Sequence, residues 1–341
     1  MKIHLSKILA FTAIMVGLSC LAHAQQEAQF SQYMFNRLSY NPAYAGSNGS
    51  ICATAIYRSQ WLGLKLDSPA EGKKAGSLPT NYLFAIDLPV KALHGGLGLT
   101  VAGEDIGYHN NIGINLDYAF RIYWGRGTLA AAIEANLVNS KFDFAQLVGS
   151  DDLTGYYNNP VNPTSNDPLL TSQEEASAML FDLSTGLYYQ VPGSYYLGFS
   201  LKNILGTHSD KLNLSNVRTV YLMGGFDYTV PFHPSFKLRP SALVKTTNMT
   251  SWQLDLSLLV DYQNSFWIGG AYRVHDAITL LGGLNWNKLR VGLGYDLTTS
   301  KLGAFKEGRS KGSVELYLRY CFKVIIPQRS PSVYRNTRYL F

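Results

Sequence analysis

The sequence predicts an all-β protein: a 14-stranded antiparallel transmembrane β-barrel, closed on itself within an outer membrane. Three observations predict it. Strand-like segments alternate apolar and polar residues with a period of two, so one face suits lipid and the other carries charge. Connections between these segments sort by parity, the long ones falling on one side and the short ones on the other. The chain contains no apolar run long enough for a membrane-spanning helix.

The chain starts with an export signal. Lys2 and Lys7 precede an apolar run from Ile8 to Leu21, and Ala22-His23-Ala24 supplies a small–x–small cleavage pattern. Residues 1–24 are expected to be removed after Sec-type export, leaving Gln25 first. Cys20 lies near the cleavage point, but Gly17 stands where a lipid-attachment motif wants Leu. The whole chain carries +6; without Lys2 and Lys7, 27 basic residues face 23 acidic ones. That balance, with basic residues dispersed and no Arg/Lys stripe, is too weak to argue for nucleic acid, and no such partner is expected.

Residues 25–50, QQEAQFSQYMFNRLSYNPAYAGSNGS, are not strand-like. Phe30, Tyr33, Met34, Phe35, Leu38 and Tyr40 need a surface to cover, and Asn41-Pro42 breaks the run. We expect an N-terminal periplasmic segment with a short helix or coil at the barrel mouth. It serves either as a plug-like lid or as a protein-docking surface.

Strands follow at 51–58, 80–90, 96–104, 111–122, 128–138, 179–191, 194–204, 217–230, 235–247, 252–263, 265–274, 277–286, 288–298 and 312–322. An even count brings both barrel ends to one side. From a periplasmic start, the outward connections are 59–79, 105–110, 139–178, 205–216, 248–251, 275–276 and 299–311. The periplasmic ones are 91–95, 123–127, 192–193, 231–234, Asn264 and Asn287. A soluble sandwich has no reason to sort loop length this way.

Facing is legible in the cleaner strands. Leu197, Phe199 and Leu201 oppose Ser200 and Lys202. Leu254, Leu256, Leu258, Val260 and Tyr262 oppose Asp255, Ser257 and Asp261. Leu289, Val291, Leu293, Tyr295 and Leu297 oppose Arg290, Gly292, Gly294 and Asp296; Val314, Leu316, Leu318, Tyr320 and Phe322 oppose Glu315, Tyr317, Arg319 and Cys321. A charge at mid-bilayer costs ~2–4 kcal/mol, which turns the polar faces inward. Tyr57, Trp61, Trp124, Tyr262, Trp267 and Trp286, near strand ends, fit interfacial girdles. The same parity turns Cys52 inward beside Thr54 and Arg58. The first and last strands become neighbours on closure, so Cys52 and Cys321 are either a cross-strand disulfide or two small packed thiols.

Chemistry is absent from the pattern. There is no Gly-x-Ser-x-Gly, His-Glu-x-x-His or phosphate loop, and His94, His109, His208, His233 and His275 scatter among turns. No enzyme activity, cofactor or metal is expected. In the longest outward loop, Asp151, Asp152, Asp167, Glu174 and Glu175 match no calcium-loop spacing. A loop this long suits gating or holding a partner. Residues 323–341 follow with Pro327 and Pro331, which oppose another regular strand. They read as a basic, aromatic periplasmic tail suited to protein or headgroup contact, or folded back across the barrel mouth.

The stretch QFSQYMFNRLSYNPAYAG at 29–46, with Tyr-Arg-Asn-Thr-Arg at 334–338, resembles the PorP/SprF-like outer-membrane proteins of Bacteroidetes. The resemblance covers essentially the mature chain; Arg37 departs from it, standing where small or Pro residues are common. It marks Gln29, Phe30, Tyr33, Met34, Phe35, Asn36, Asn41, Pro42, Tyr44, Gly46, Tyr334, Arg335, Asn336 and Arg338 as signature residues for periplasmic interaction. It implies a FadL-like barrel associated with type IX secretion and gliding motility. Such a barrel is expected to secrete, dock or anchor a large surface adhesin by binding its C-terminal domain, with periplasmic or lipoprotein subunits as further partners. The outward loops 59–79, 139–178, 205–216 and 299–311 would hold the adhesin. The alternative is a channel for a small apolar solute, lined by inward Gly and Tyr.

Overall fold

The computed structural model describes residues 29–64, 75–147, 175–210, 212, 214–300 and 310–323. The expected signal at 1–24, the tail beyond Lys323, and the central parts of the outward loops 59–79, 139–178 and 299–311 lie outside the described residues.

The described chain forms β1 (Ser50–Ser59), β2 (Ser77–Val90), β3 (Gly95–Gly107), β4 (His109–Trp124), β5 (Gly127–Asp143), β6 (Glu175–Val191) and β7 (Tyr195–Lys202). A small hairpin, β8 (His208–Ser209) and β9 (Leu214–Ser215), stands apart from the main sheet. The wall resumes with β10 (Thr219–Phe226), β11 (Tyr228–Thr229), β12 (Phe236–Thr247), β13 (Ser251–Tyr262), β14 (Phe266–Arg273), β15 (Ala277–Trp286), β16 (Leu289–Thr298) and β17 (Ser313–Lys323). Each pairs antiparallel with its neighbour, β10 pairs β12, and β1 pairs β17. Counting β10 and β11 as one interrupted strand, the sheet is a closed 14-stranded barrel. Closure removes every free edge, as lipid requires, because nothing in a bilayer can satisfy an open N–H or C=O.

The interrupted strand has a local cause. Pro240 of β12 supplies no N–H. The β10–β12 ladder runs to Gly225↔Ser241 and restarts at Tyr228↔Leu238, stepping past Pro240. Released from that ladder, the Asp227 N–H donates to the Ser194 carbonyl at 2.7 Å.

Alternation decides which way side chains point. Leu197, Phe199, Leu256, Leu258, Leu293 and Leu316 are exposed on the outer surface, while Asp255, Asp261, Asp296, Glu315, Ser200 and Lys202 are buried inside. Trp124 and Trp286 are exposed near strand ends, as an interfacial girdle requires. Trp267 corrects that assignment: it is 1% exposed, inside the barrel with its ring 4.7 Å from that of Phe35. It stands opposite Gly283, whose missing side chain leaves room for the indole.

The wall is uneven in height. β5 and β6 each run 17 residues, whereas β7 and β14 run 8. At ~3.3 Å per residue and ~40° tilt these reach ~43 Å and ~20 Å along the axis, against an apolar band of ~25 Å. The excess lies at the long-loop end, because β6 pairs β7 only from Thr185 to Val191. The sequence expectation ended these strands at 138 and began them at 179. The structure carries them to Asp143 and back from Glu175, because polar residues still alternate there after the apolar signal fades.

At the opposite, short-turn end, Cys52 faces Cys321 in register, and the two are joined by a disulfide with Cα atoms 4.1 Å apart. The bridge ties the first strand to the last across 269 residues of chain.

Two outcomes follow from this architecture. Leu258→Arg places a cation on the lipid face of β13 and is expected to lower folding stability in vesicles by about 2–4 kcal/mol, read from urea titration. Leu258→Ala should lose clearly less. Thiol alkylation of the unfolded protein should be blocked until reductant is added. Cys52→Ala/Cys321→Ala should then unfold at lower temperature, having lost a chain-entropy constraint on the order of 5 kcal/mol.

Candidate functional site

The lumen is filled by the chain's own N-terminal segment. Residues 31–35 coil, a single helical turn spans Arg37–Tyr40, and a 3₁₀ turn spans Pro42–Tyr44. Asn41 separates the two turns: its side chain accepts from the Ala43 N–H, and Pro42 opens the 3₁₀ turn with a fixed φ. Phe30, Tyr33, Met34, Phe35, Leu38, Tyr40, Ala43, Tyr44 and Ala45 are all buried. The surface these aromatics needed is the inner wall. They cluster with inward-facing Ile56, Leu83, Tyr188, Tyr221, Trp267 and Tyr317.

This location corrects the docking-surface reading of residues 29–46. Side chains from Phe30 to Ala45 are mostly shut inside the barrel, so they grip the wall and are closed to a periplasmic partner. The Gln29 carbonyl accepts from Arg58, and its amide donates to Gln253 at 2.7 Å. Phe30 N–H donates to Tyr40 Oη at 3.2 Å. Tyr33 Oη donates to the Ser241 carbonyl at 2.9 Å, the Met34 carbonyl accepts from Arg37, and Asn36 accepts from Ser39. Burial pushes the Tyr33 and Tyr40 phenols up, so both stay protonated. Tyr334, Arg335, Asn336 and Arg338 lie outside the described residues.

Two seats hold the plug closest. Asn41 Nδ2 donates to the Leu187 and Phe199 carbonyls of adjacent strands β6 and β7, at 2.9 and 3.2 Å. It reaches them only because Gly186 and Gly198 lack side chains: a Cβ at Gly186 would lie 2.3 Å from Asn41 Oδ1. The Pro42–Tyr44 turn packs on β4, β5 and β6, where the inward residues Ala119, Ala130 and Ala132 are small. At the base, Gly46 takes φ +68° beneath the Leu88 carbonyl, where a Cβ would sit 2.6 Å away. Gly46 N–H donates to Asp87 at 3.3 Å.

The grip is electrostatic as well. Glu315 accepts from the backbone N–H groups of Ser31 and Gln32 at 2.6 and 2.8 Å. Asp296 accepts from Ser31 Oγ at 2.7 Å and from Arg58 at 2.6 Å. Lys202 donates to the Ser39 carbonyl and lies 3.4 Å from Glu134. Arg319 reaches Asp87 at 3.4 Å and the Tyr44 phenol at 3.2 Å, and Arg121 donates to the Ala45 carbonyl. Paired and hydrogen-bonded charges are what a buried polar interior requires. Parity had turned Arg58, Lys202, Asp296, Glu315 and Arg319 inward. No pattern in the sequence told that they close on residues 31–45.

Cavities adjoin the plug toward both ends of the barrel. A cavity of about 640 Å³ opens at the long-loop end above Phe30, Ser39 and Tyr40, lined by polar groups such as Thr100, Asn136 and Asn216. A smaller one of about 190 Å³ lies at the short-turn end beneath Met34 and Phe35. Among the described residues no group of His, Cys, Asp or Glu side chains is placed to hold a metal ion.

Comparison with known proteins adds the following. The family model described as type IX secretion system membrane protein PorP/SprF matches residues 22–320. A search of curated proteins returns no match. Among solved structures, the Acinetobacter baumannii outer membrane protein Omp33 is similar at 6% identity and TM-score 0.42, over 80% of this chain and 99% of that one. A Pseudomonas aeruginosa FadL homologue is similar at 11% identity and TM-score 0.40, over 82% and 92%. The P. putida toluene transporter TodX is similar at 9% identity and TM-score 0.43, over 82% and 92%.

Removing one partner from the ionic knot isolates its effect. Arg58→Met strands Asp296 and Glu315 in the interior and is expected to cost about 3–5 kcal/mol. It should also loosen the Gln29 end of the plug, seen as faster protease cleavage between residues 29 and 46 in the folded barrel.

Proposed function

Because the chain belongs to the PorP/SprF family of type IX secretion system membrane proteins, we propose that this outer-membrane barrel docks or anchors a large secreted surface adhesin. It does so by holding the adhesin's C-terminal domain on its long-loop end. The observation that carries this reading is the filled lumen: a barrel whose interior is occupied by residues 29–45, bonded to β1, β6, β7, β16 and β17, is built as a rigid base. The uneven wall supports the same reading. The tall β4–β6 side lifts the rim of loop 139–178 well clear of the apolar band, while the β14 side stays low. A stepped platform of this kind offers a domain both a floor and a side wall, and loops fixed on a closed sheet lose little entropy on binding.

In this reading the short-turn end, where β1 begins and β17 ends, faces the periplasm. The signal is removed on export, and the tail beyond Lys323 meets further type IX components there. The barrel's role is binding, with no reaction of its own.

A second reading, passage of a small apolar solute, has the 640 Å³ cavity in its favour. Its lining is mixed: Leu83, Leu180 and Val217 would suit an apolar guest, whereas Asn111, Asn115, Asn136 and Ser140 present amides and a hydroxyl that oppose one. An apolar solute entering there strips those groups of water without replacing it.

The two readings separate in one preparation. Gentle detergent extraction from the native membrane, followed by mass spectrometry of bound chains, should recover a large secreted polypeptide with the barrel. The purified barrel in planar bilayers should show no steady conductance. Solute-specific uptake by the barrel alone, with no bound polypeptide, would sink the docking role.

A further inference from the structure

We propose that the cavity at the short-turn end of the lumen is a binding site for a phosphate group, held by Arg37 and Arg290 with Arg239 and Arg319 beside them. The inference starts from charge. Four guanidinium groups line a space of about 190 Å³, and none can deprotonate in a protein. Arg239 is answered by Asp261 at 3.2 Å and Asp227 at 3.5 Å, and Arg319 by Asp87 at 3.4 Å. Arg37 and Arg290 have no carboxylate in ion-pair range among the described residues. Four guanidinium groups thus face three carboxylates, an excess of one positive charge, and two of the four forks stand outside any ion pair with the described wall and plug.

Geometry aims both groups into the cavity. Arg37 donates through Nε to the Met34 carbonyl and through Nη1 to the Tyr188 phenol, both at 3.0 Å, and its plane lies 3.7 Å over the Tyr196 ring. Arg290 donates through Nε to Asn285 at 2.6 Å and lies 5.0 Å over Phe35. Among the described hydrogen bonds Arg37 uses Nε and Nη1 and Arg290 uses Nε alone, which leaves further N–H donors of each pre-oriented guanidinium for a ligand. The wall gives way at the same place: Asp227, Arg239 and Pro240, where the ladder steps past the proline, line the cavity, and exposed Asn48 sits at its mouth.

The chemical class follows from charge and size. A phosphate carries between one and two negative charges near neutral pH and several acceptor oxygens, which match two unmatched forks. A volume equal to about six waters takes such a group with a water or two, and no folded chain. Free inorganic phosphate and the headgroup of a membrane lipid entering at the rim share this chemistry. The inference is independent of the docking role, because it concerns the opposite end of the lumen.

The test uses the full-length barrel purified in phosphate-free detergent. Equilibrium dialysis against radiolabelled inorganic phosphate should show one saturable site. Arg37→Gln and Arg290→Gln should each weaken it by about tenfold or more, the loss expected for one charged hydrogen-bonding group. Arg126→Gln, on an exposed turn, should leave it unchanged. If a short-chain phosphatidic acid binds saturably with the same arginine dependence and inorganic phosphate does not, the source is a lipid headgroup and the site stands. The proposal is overturned if neither probe saturates the wild-type protein, or if Arg126→Gln weakens binding as much as the cavity variants do. Should one cavity variant fail to fold, the other and the wild-type isotherm decide.

Discussion

The Glu315 carboxylate, seated on β17 and fully buried, is the contact on which the interior depends. Its two oxygens accept from the Ser31 and Gln32 N–H groups, and Arg58 lies 3.8 Å away while binding Asp296. One carboxylate thus satisfies backbone that has no helix or sheet of its own. It also joins the plug to the seam where the first strand meets the last. An ionised group in so dry a place persists only when paired and hydrogen-bonded, so wall and plug each make the other's polarity tolerable.

Small residues complement that knot. Gly186 and Gly198 let the Asn41 amide reach strand carbonyls, and Ala119, Ala130 and Ala132 give the Pro42–Tyr44 turn a flat bed. The opposite wall is bulky, with Trp267 and Tyr317 packed against Phe35 at ring distances of 4.7 and 5.4 Å. The inner wall thus presents small residues to the Pro42–Tyr44 turn and aromatic rings to Phe35, in complement to this one occupant. A plug held this way stiffens the cylinder, which suits a base for loops better than a passage.

The interior also divides by function. Toward the long loops the lining mixes amides with charges of both signs, Arg58, Lys202 and Arg273 against Glu104 and Asp276, whereas toward the short turns arginine predominates, gathered around aromatic faces. The plug is the partition between them. Its own Arg37 belongs to the basic side, so the segment that fills the barrel also builds the second cavity.

How much of this was legible in the sequence differs by level. Period-two alternation and loop parity gave the strand count, the closure and the inward set, because bilayer physics acts on every residue of a strand and leaves a repeating mark. The Cys52–Cys321 juxtaposition was legible as one of two alternatives for the same reason: parity and closure place residues without any side-chain detail. The aromatic run at 30–44 signalled a need for cover and left its location open. Trp267 was misplaced in a girdle, since its inward position depends on the paired Gly283 across the sheet. Contacts between a non-repeating segment and many different strands leave no period to read. The sequence by itself determined a closed sheet with a charged inner face. Only the tertiary structure decided that the lumen is filled, by which residues, and that the filling leaves unmatched arginines, because charge pairing across the lumen is set by distance in space and not by spacing along the chain.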